Sequence, residues 1–294
     1  MLGDPLTPAA LAAVSGAVAD TGGTIDRIVR LATHPVTAYD LVVIAGDADA
    51  MRTALVGVAH QHGIDVAVQV NGLERRAKRL VVMDVDSTLI ADEVIELLAD
   101  EAGCRAEVEA VTAAAMAGEL DFEASLRARV RRLAGLEVAA LDRVASRIRL
   151  TPGARTFVST LQRMGFAVAA VSGGFTVFTD RLAVELGLDH AYANALEIVD
   201  GRLTGEVVGP VVDRARKAEL LVEIAAAQRI SPSQTVAVGD GANDLDMLAV
   251  SGLGIAFNAK PAVRARAHTT VSVPLLDVIL FMLGVRGTEV DHVD

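Results

Sequence analysis

Four carboxylates follow two short apolar runs of this sequence. Asp84 and Asp86 come directly after one run, and Asp240 and Asp244 come close after another. On an extended chain, residues two apart point to the same side, so Asp84 and Asp86 face one region together. Like charges repel unless a cation neutralises them, and carboxylate oxygens suit a hard divalent ion. If the two runs end at the same place, the sequence therefore predicts a metal-binding pocket.

A third apolar run is followed by residues suited to an anion. Ser172, Gly173 and Gly174 offer a hydroxyl and accessible backbone N–H groups just before a predicted helix, which is a ready anion site. Lys217 opens a helix predicted to end near Ala227 and adds a positive charge. Acids for a metal ion, donors for an anion and one lysine together indicate phosphoryl transfer, in which positioning and charge neutralisation supply most of the catalysis.

Strands and helices must bring these groups together. Four apolar segments each end in a polar or glycine-rich corner: 80–83, 166–171, 235–238 and 254–257. Their alternation with helical patterns predicts an α/β fold, a three-layer Rossmann-like core whose parallel sheet is covered on both faces. Such sheets build their sites at the carboxyl ends of the strands. Between them, residues 93–150 are helical in pattern throughout, which predicts an inserted helical cap.

A small α+β domain precedes this core. Its pattern predicts a helix, two strands, a second helix and a strand that alternates over 64–70. About six residues precede the first helix, and a polar, basic linker follows the last strand. The predicted domains are an N-terminal domain (1–78), a core (79–92 and 151–284), the cap (93–150) and a C-terminal tail (285–294).

Composition excludes several classes of protein. The chain has 294 residues, 52% of them hydrophobic, and a net charge of −11, which argues against binding to nucleic acid or to an anionic membrane surface. Its one cysteine, Cys104, forms no disulfide within the chain, so a reducing cytoplasm fits best. The most lipid-like run, 275–285, contains Asp277 and is shorter than the ~20 residues of a membrane span.

Four motifs occur in the order found in the haloacid dehalogenase-like superfamily of aspartate-nucleophile phosphatases, over residues 80–284: Asp84-x-Asp86-x-Thr88, Ser172, Lys217 and Gly239-Asp240-Gly241-x-Asn243-Asp244. Within it, the runs 122–129 (FEASLRAR), 171–175 (VSGGF) and 236–244 (VAVGDGAND) resemble the phosphoserine phosphatase family. The N-terminal segment resembles the ACT domain, a βαββαβ amino-acid-binding module, but lacks room for the opening strand. We therefore expect a truncated start that leaves a sheet edge exposed, the alternative being a domain that never had this strand.

The resemblance implies a role for each motif residue. Asp84 would be the nucleophile and Asp86 the general acid and base. Mg²⁺ would be bound by Asp84, Asp240 and the Asp86 carbonyl, with Asn243 and Asp244 completing the site. The phosphoryl oxygens would be held by Ser172, Gly173 and Lys217. From the cap, Glu93 would bind the substrate ammonium and Arg129 its carboxylate, while Met116 and Phe122 exclude water.

Helical geometry supports one of these cap residues independently. At about 100° per residue, Arg129 falls on the apolar stripe of Phe122 and Leu126, whereas Arg127 lies opposite. An arginine on an apolar face needs an anionic partner, either the substrate or a salt bridge within the cap. Glu93 has no such support, because Asp92 and Glu96 are placed equally well. Three assignments keep structural alternatives: Asp244 as a helix cap, and Met116 and Phe122 as core residues.

The expected function is Mg²⁺-dependent hydrolysis of O-phosphoserine through an aspartyl-phosphate, the last step of serine biosynthesis. Two alternatives stay open. One is a phosphoserine:homoserine phosphotransferase, which passes the phosphoryl group to another alcohol. The other is an amino-acid-sensing regulator with an idle core, which would need a broken catalytic residue, and none is broken here. An amino-acid ligand of the N-terminal domain and a homodimer are open as well, while neither nucleic acid nor membrane is expected as a partner.

Overall fold

A parallel sheet between two layers of helices forms the larger part of the computed structural model, which describes residues 1–72, 75, 77–116 and 119–293. The strands of the chain are β1 (Leu2–Gly3), β2 (Thr24–Ala32), β3 (Thr37–Ile44), β4 (Leu80–Met83), β5 (Ala167–Phe175), β6 (His190–Val199), β7 (Arg202–Val208), β8 (Thr235–Gly239), β9 (Leu253–Phe257) and β10 (Thr269–Val271). The helices are α1 (Pro8–Asp20), α2 (Ala48–His62), α3 (Val94–Ala102), α4 (Arg105–Met116), α5 (Phe122–Arg131), α6 (Ala139–Ala145), α7 (Ala154–Arg163), α8 (Thr176–Leu186), α9 (Arg214–Ala227), α10 (Leu245–Val250), α11 (Pro261–Arg264) and α12 (Ile279–Met282).

The main sheet has the order β10-β9-β8-β4-β5-β6-β7. Its neighbours run parallel except β6 and β7, which form an antiparallel hairpin. Every residue of β4 is buried because helices cover both faces, and alternate residues enter different apolar clusters. Val81 and Met83 join the larger cluster, and Leu80 and Val82 the other. The three-layer α/β class predicted from the sequence is confirmed.

The cap consists of helices α3 to α6, inserted between β4 and α7. Two linkers join it to the core and pair with each other as short antiparallel strands, through the bridge between Ile90 and Leu150. Asp92 strengthens this crossing, because its carboxylate accepts hydrogen bonds from the Arg149 backbone N–H at 2.8 Å and from its guanidinium at 2.6 Å. The two chain connections of the cap thus lie side by side, and the cap also packs on β7, where Leu203 exchanges backbone hydrogen bonds with Gly135 and Leu136 at 2.8 and 2.9 Å.

The N-terminal domain has the sheet order β1-β3-β2, with α1 and α2 on one face. The expectation that its first strand is missing needs correction, since Leu2 and Gly3 pair with β3. That pairing covers two residues, fewer than a full strand. The alternating segment 64–70 is not a strand: its one ladder contact is the bridge between Leu2 and Asp65. A cavity of about 310 Å³ lies between β3 and this segment.

Polar contacts fix the N-terminal domain to the core. The buried Asp65 carboxylate accepts hydrogen bonds from the Ser272 N–H at 2.7 Å and from the hydroxyls of Thr270 and Ser272. The segment predicted as a tail also packs on the core, because the Asp291 N–H donates to the Thr160 hydroxyl at 2.9 Å. Among the residues described, no helix is both long and apolar enough to cross a membrane.

Candidate active site

The predicted corners meet at the carboxyl ends of three neighbouring strands. β4 lies between β8 and β5, so the residues that follow each of these strands converge. Asp84 is 4% exposed, and its backbone N–H donates to the Val238 carbonyl at 2.9 Å. Its position is thus fixed by the sheet rather than by a free loop.

Lys217 connects two of the acids. Its buried ammonium donates to Asp84 Oδ1 and to Asp244 Oδ1, both at 2.7 Å. Burial alone would lower the pKa of Lys217, but the charges of Asp244 and Asp84 outweigh burial and raise it. The lysine therefore stays charged beside the two acids. Asp213, whose side chain accepts the Arg216 N–H, caps the start of α9 and so places Lys217.

Three carboxylates form a compact acidic cluster. Ligand oxygens of Asp84, Asp240 and Asp244 lie within 4.8 Å of one another. Burial and the neighbouring charge of Asp244 raise the pKa of Asp84 well above its usual range. The same two causes raise the pKa of Asp240 to about 6. Such crowding of acids is the electrostatic condition that a bound divalent cation relieves.

Asp86 faces a different set of partners. Its carboxylate accepts hydrogen bonds from the Val94 N–H at 2.8 Å and the Ser172 hydroxyl at 3.1 Å. Burial raises its pKa, against these two hydrogen bonds, which lower it. Val94 is the first residue of α3, so Asp86 contacts the start of the cap as well as the corner at Ser172.

Two glycines leave room for these side chains. A Cβ on Gly239 would lie 2.5 Å from the Asp244 carboxyl carbon. A Cβ on Gly174 would lie 2.8 Å from Asp86 Oδ2. The glycines of the motifs thus serve close packing around the acids. Asn243, the remaining predicted metal-site residue, is half-buried in the turn before α10.

The structure separates the three acids that the sequence left equivalent at the start of the cap. Asp92 is paired with Arg149 at 2.6 Å, and Glu96 with Arg105 at 2.8 Å. Glu93 instead accepts a hydrogen bond from the Ser87 hydroxyl at 2.7 Å, beside Asp86. Desolvation by the surrounding protein and the charge of Asp86 raise the pKa of Glu93 to about 7.

Arg129 lies half-buried on the inner face of α5. Its Nε donates to the Ser125 carbonyl at 3.3 Å, and no described residue accepts from its terminal nitrogens. Burial lowers its pKa, while the charges of Glu93 and Asp86 raise it, so both acids are electrostatic neighbours. Arg127 points elsewhere and pairs with Glu123 at 2.8 Å.

Phe122 covers the corner formed by residues 172–174. A Cβ on Gly173 would lie 2.9 Å from Phe122 Cζ, so the aromatic ring rests on the glycine backbone. The side chain of Met116, predicted to share this role, lies outside the described residues. Sequence reasoning missed Ser87 and Asn194, although a single asparagine within the apolar pattern of β6 is a detectable signal.

Comparison with known proteins agrees with this geometry. A family model for haloacid dehalogenase-like hydrolases matches residues 81–249, more than half of the chain. The chain belongs to the haloacid dehalogenase-like hydrolases. A model for the ACT domain matches residues 1–69 of this hydrolase. The resemblance drawn from the motifs of the core and the one drawn from the element order of the N-terminal segment are therefore both confirmed.

Individual relatives of this hydrolase are close. A phosphoserine phosphatase of Streptomyces coelicolor is 59% identical over 294 residues, covering 100% of the chain and 72% of the relative. A solved phospho-aspartyl intermediate analogue of phosphoserine phosphatase is 43% identical with a TM-score of 0.66, covering 70% of this chain and 98% of the other. A haloacid dehalogenase family hydrolase of Salmonella enterica serovar Typhi is 32% identical with a TM-score of 0.84, covering 96% of both chains.

Proposed function

We propose that this protein is a phosphoserine phosphatase, which hydrolyses O-phosphoserine to serine and phosphate. The observation that carries the proposal is the meeting of two sets of residues. The core supplies the acids and Lys217, and the cap brings Glu93 and Arg129 to the same region. The family membership and the names of the close relatives support the same activity.

Asp84 is proposed as the nucleophile. Its carboxylate attacks phosphorus, the bond from phosphorus to the serine oxygen breaks, and an aspartyl-phosphate forms. Lys217, already bonded to Asp84 at 2.7 Å, neutralises charge on the phosphoryl oxygens. Ser172 and the Gly173 backbone hold those oxygens from the other side of the corner.

Asp86 is proposed to move the protons. It gives a proton to the departing serine oxygen in the first step. In the second step it takes a proton from the water that attacks the aspartyl-phosphate, which releases phosphate and restores Asp84. Its contacts with Ser172 and Val94 hold the carboxylate between core and cap, where the leaving oxygen must lie.

The acidic cluster fits Mg²⁺. Oxygen ligands from Asp84, Asp240 and Asp244 are the donor type that this ion prefers, and they converge within 4.8 Å. We assign these residues to the metal site together with the Asp86 carbonyl and Asn243. When bound, the ion would neutralise negative charge between the nucleophile and the phosphoryl group.

The cap is proposed to read the amino-acid end of the substrate. The free terminal nitrogens of Arg129, as described above, suit a carboxylate, and the Glu93 carboxylate suits an ammonium group. Phe122 excludes water above Gly173, and Met116 is assigned to the same lid. Selectivity for phosphoserine over other phosphate esters then depends on the cap alone.

The remaining parts of the chain carry smaller proposals. One concerns the domain division: the two sheets and the cap insertion support an N-terminal domain (1–78), a core (79–92 with 151–284) and a cap (93–150).

An amino acid is the proposed ligand of the N-terminal domain, supported by the ACT match and by the 310 Å³ cavity. A rise in Tm with added serine at millimolar concentration, reduced by Met51→Arg in the cavity lining, would support this ligand.

One assay tests the main proposal. Phosphate release is measured from O-phosphoserine and from a generic aryl phosphate, with Mg²⁺ and with excess chelator. We expect Mg²⁺-dependent turnover with kcat/KM at least a hundredfold higher for O-phosphoserine. Capture of the phosphoryl group by added homoserine would instead indicate a phosphotransferase, and no turnover of either ester would indicate an idle core.

A further inference from the structure

Asn194 is a fully buried polar residue on β6 that no motif of the site includes. Its Nδ2 donates to the Gly173 carbonyl at 2.8 Å and to the Gly174 carbonyl at 3.2 Å. Its Oδ1 accepts the Val212 N–H at 2.8 Å. Because Nδ2 faces two carbonyl acceptors and Oδ1 faces an N–H donor, these partners fix which way the side-chain amide of Asn194 is turned. A buried amide satisfied this fully holds its neighbours firmly.

The contact replaces strand pairing where β5 leaves the sheet. Val171 pairs with Tyr192, and Phe175 with Asn194. Three residues of β5 (172–174) therefore lie opposite one residue of β6, and the ladder is broken there. The Asn194 side chain supplies the hydrogen bonds that the backbone of β6 no longer gives. The 172–174 segment of β5, which carries Ser172, is therefore bonded to β6 through this side chain.

The same contact orients an N–H group toward the site. In a trans peptide the carbonyl and the following N–H point in opposite directions. Because the Gly173 carbonyl points to Asn194, the Gly174 N–H points away from it, and this N–H donates to the Ser172 hydroxyl at 2.7 Å. Ser172 in turn donates to Asp86 at 3.1 Å.

The third bond of Asn194 reaches the lysine helix. Val212 directly precedes Asp213, the residue that caps the start of α9. One turn later, Lys217 contacts Asp84 and Asp244. Asn194 thus joins the two segments that bring phosphoryl-binding groups into the site from different strands.

We propose that Asn194 is a positioning residue for phosphoryl binding, which sets the 172–174 loop at a fixed distance from Lys217 without touching the substrate. This inference rests on the proposed function only in treating the pocket as a phosphoryl site. It predicts that loss of Asn194 weakens the binding of every phosphorylated ligand, whatever its other end. That pattern differs from loss of a cap residue, which affects phosphoserine alone.

The test uses the full chain with Mg²⁺, comparing Asn194→Ala and Asn194→Asp with Thr160→Val. Thr160 is the matched control, since it is equally buried and makes a polar contact with the C-terminal segment, through the Asp291 N–H. Aspartate keeps an acceptor for the Val212 N–H but loses both donors to the glycine carbonyls. The readouts are Tm, kcat and KM for O-phosphoserine and an aryl phosphate, and the inhibition constant of inorganic phosphate.

We expect both Asn194 variants to raise the inhibition constant of phosphate and to lower kcat/KM equally for the two esters, by about 10-fold to 100-fold. Thr160→Val should match them in Tm but not in these constants. Unchanged phosphate inhibition, or losses no greater than those of Thr160→Val, would overturn the proposal. So would a loss confined to O-phosphoserine.

A third variant and a second substrate keep the test decisive. If neither Asn194 variant folds, Asn194→Ser, which keeps one short donor and acceptor, is measured by the same readouts and must raise the inhibition constant of phosphate above that of the wild type. If the wild type hydrolyses the aryl phosphate but not O-phosphoserine, the proposed substrate is wrong. The Asn194 inference is then still judged from the aryl phosphate and from phosphate inhibition.

Discussion

Arg129→Ala should remove selectivity for the amino-acid end of the substrate while leaving phosphoryl transfer intact. In the described structure its single hydrogen bond, 3.3 Å to the Ser125 carbonyl, leaves the ends of the guanidinium to bind a carboxylate through two parallel bonds. Removing one partner of such a desolvated pair costs about 2–5 kcal/mol. At about 1.4 kcal/mol per tenfold change, kcat/KM on O-phosphoserine should fall by roughly 30-fold to several thousandfold.

The assay compares kcat/KM for O-phosphoserine and for an aryl phosphate, which has no carboxylate. The aryl phosphate value should change only a few-fold. Arg127→Ala is the matched control on the same helix, because Arg127 pairs with Glu123 and donates to the Val207 carbonyl outside the pocket. It should leave the ratio of the two substrates unchanged. Equal damage to both substrates by Arg129→Ala would refute the reasoning and show that Arg129 only stabilises the cap.

Further predictions concern the core acids, the cap and the N-terminal sheet. Asp84→Asn should lower turnover by several orders of magnitude and weaken Mg²⁺ binding in a folded protein; turnover within tenfold of the wild type would contradict a covalent mechanism. Asp86→Asn should cost about 10²–10⁴-fold in kcat with Mg²⁺ affinity, measured by titration calorimetry, little changed. Glu93 binds an ammonium group only when it is ionised, and its pKa is raised to about 7. The ratio of kcat/KM for O-phosphoserine to that for the aryl phosphate should therefore increase as pH rises through about 7. In Glu93→Gln this ratio should not change with pH. In hydrogen exchange, the Leu41 amide should exchange faster than that of Val42, because β1 lies opposite Thr37 and Ala38 and does not extend to Leu41, whereas Val42 faces β2; equal protection would show that this edge is covered.

The core could be predicted from the sequence because each of its features is local. An apolar run such as 80–83 is buried on both faces whatever follows it, and the acids come directly after the strand. The carboxyl ends of parallel strands lie at the same edge of a sheet. Once the apolar runs before Asp84 and Asp240 were identified as parallel strands, these two acids were therefore expected to lie close together. Lys217 could also be placed near the acids, but not its simultaneous contact with Asp84 and Asp244, which depends on the packing of α9.

Features that depend on pairing between distant segments could not be predicted. The alternation over 64–70 resembles a strand, yet its neighbour β1 supplies only Leu2 and Gly3, so a single bridge forms at Asp65. Likewise, Glu93 could not be distinguished from Asp92 by position. The distinction comes from Arg149 on the other linker of the cap, because its guanidinium forms a salt bridge with Asp92.

In the proposed function, residues of the core bind the phosphoryl end of the substrate and residues of the cap bind its amino-acid end, and this separation makes the proposals distinguishable. Groups that touch the phosphoryl end belong to the sheet edge and are held by its strands and by Asn194. Groups that would touch the amino-acid end belong to the cap, whose two chain connections to the core pair with each other at Ile90 and Leu150. Asp86 is the exception, because it contacts both Ser172 and the first residue of α3. As the proposed proton carrier, Asp86 would link hydrolysis to substrate recognition through its contact with the cap. Asp86→Asn and Arg129→Ala together should therefore lower kcat/KM on O-phosphoserine by less than the product of their separate effects. On the aryl phosphate the two effects should multiply.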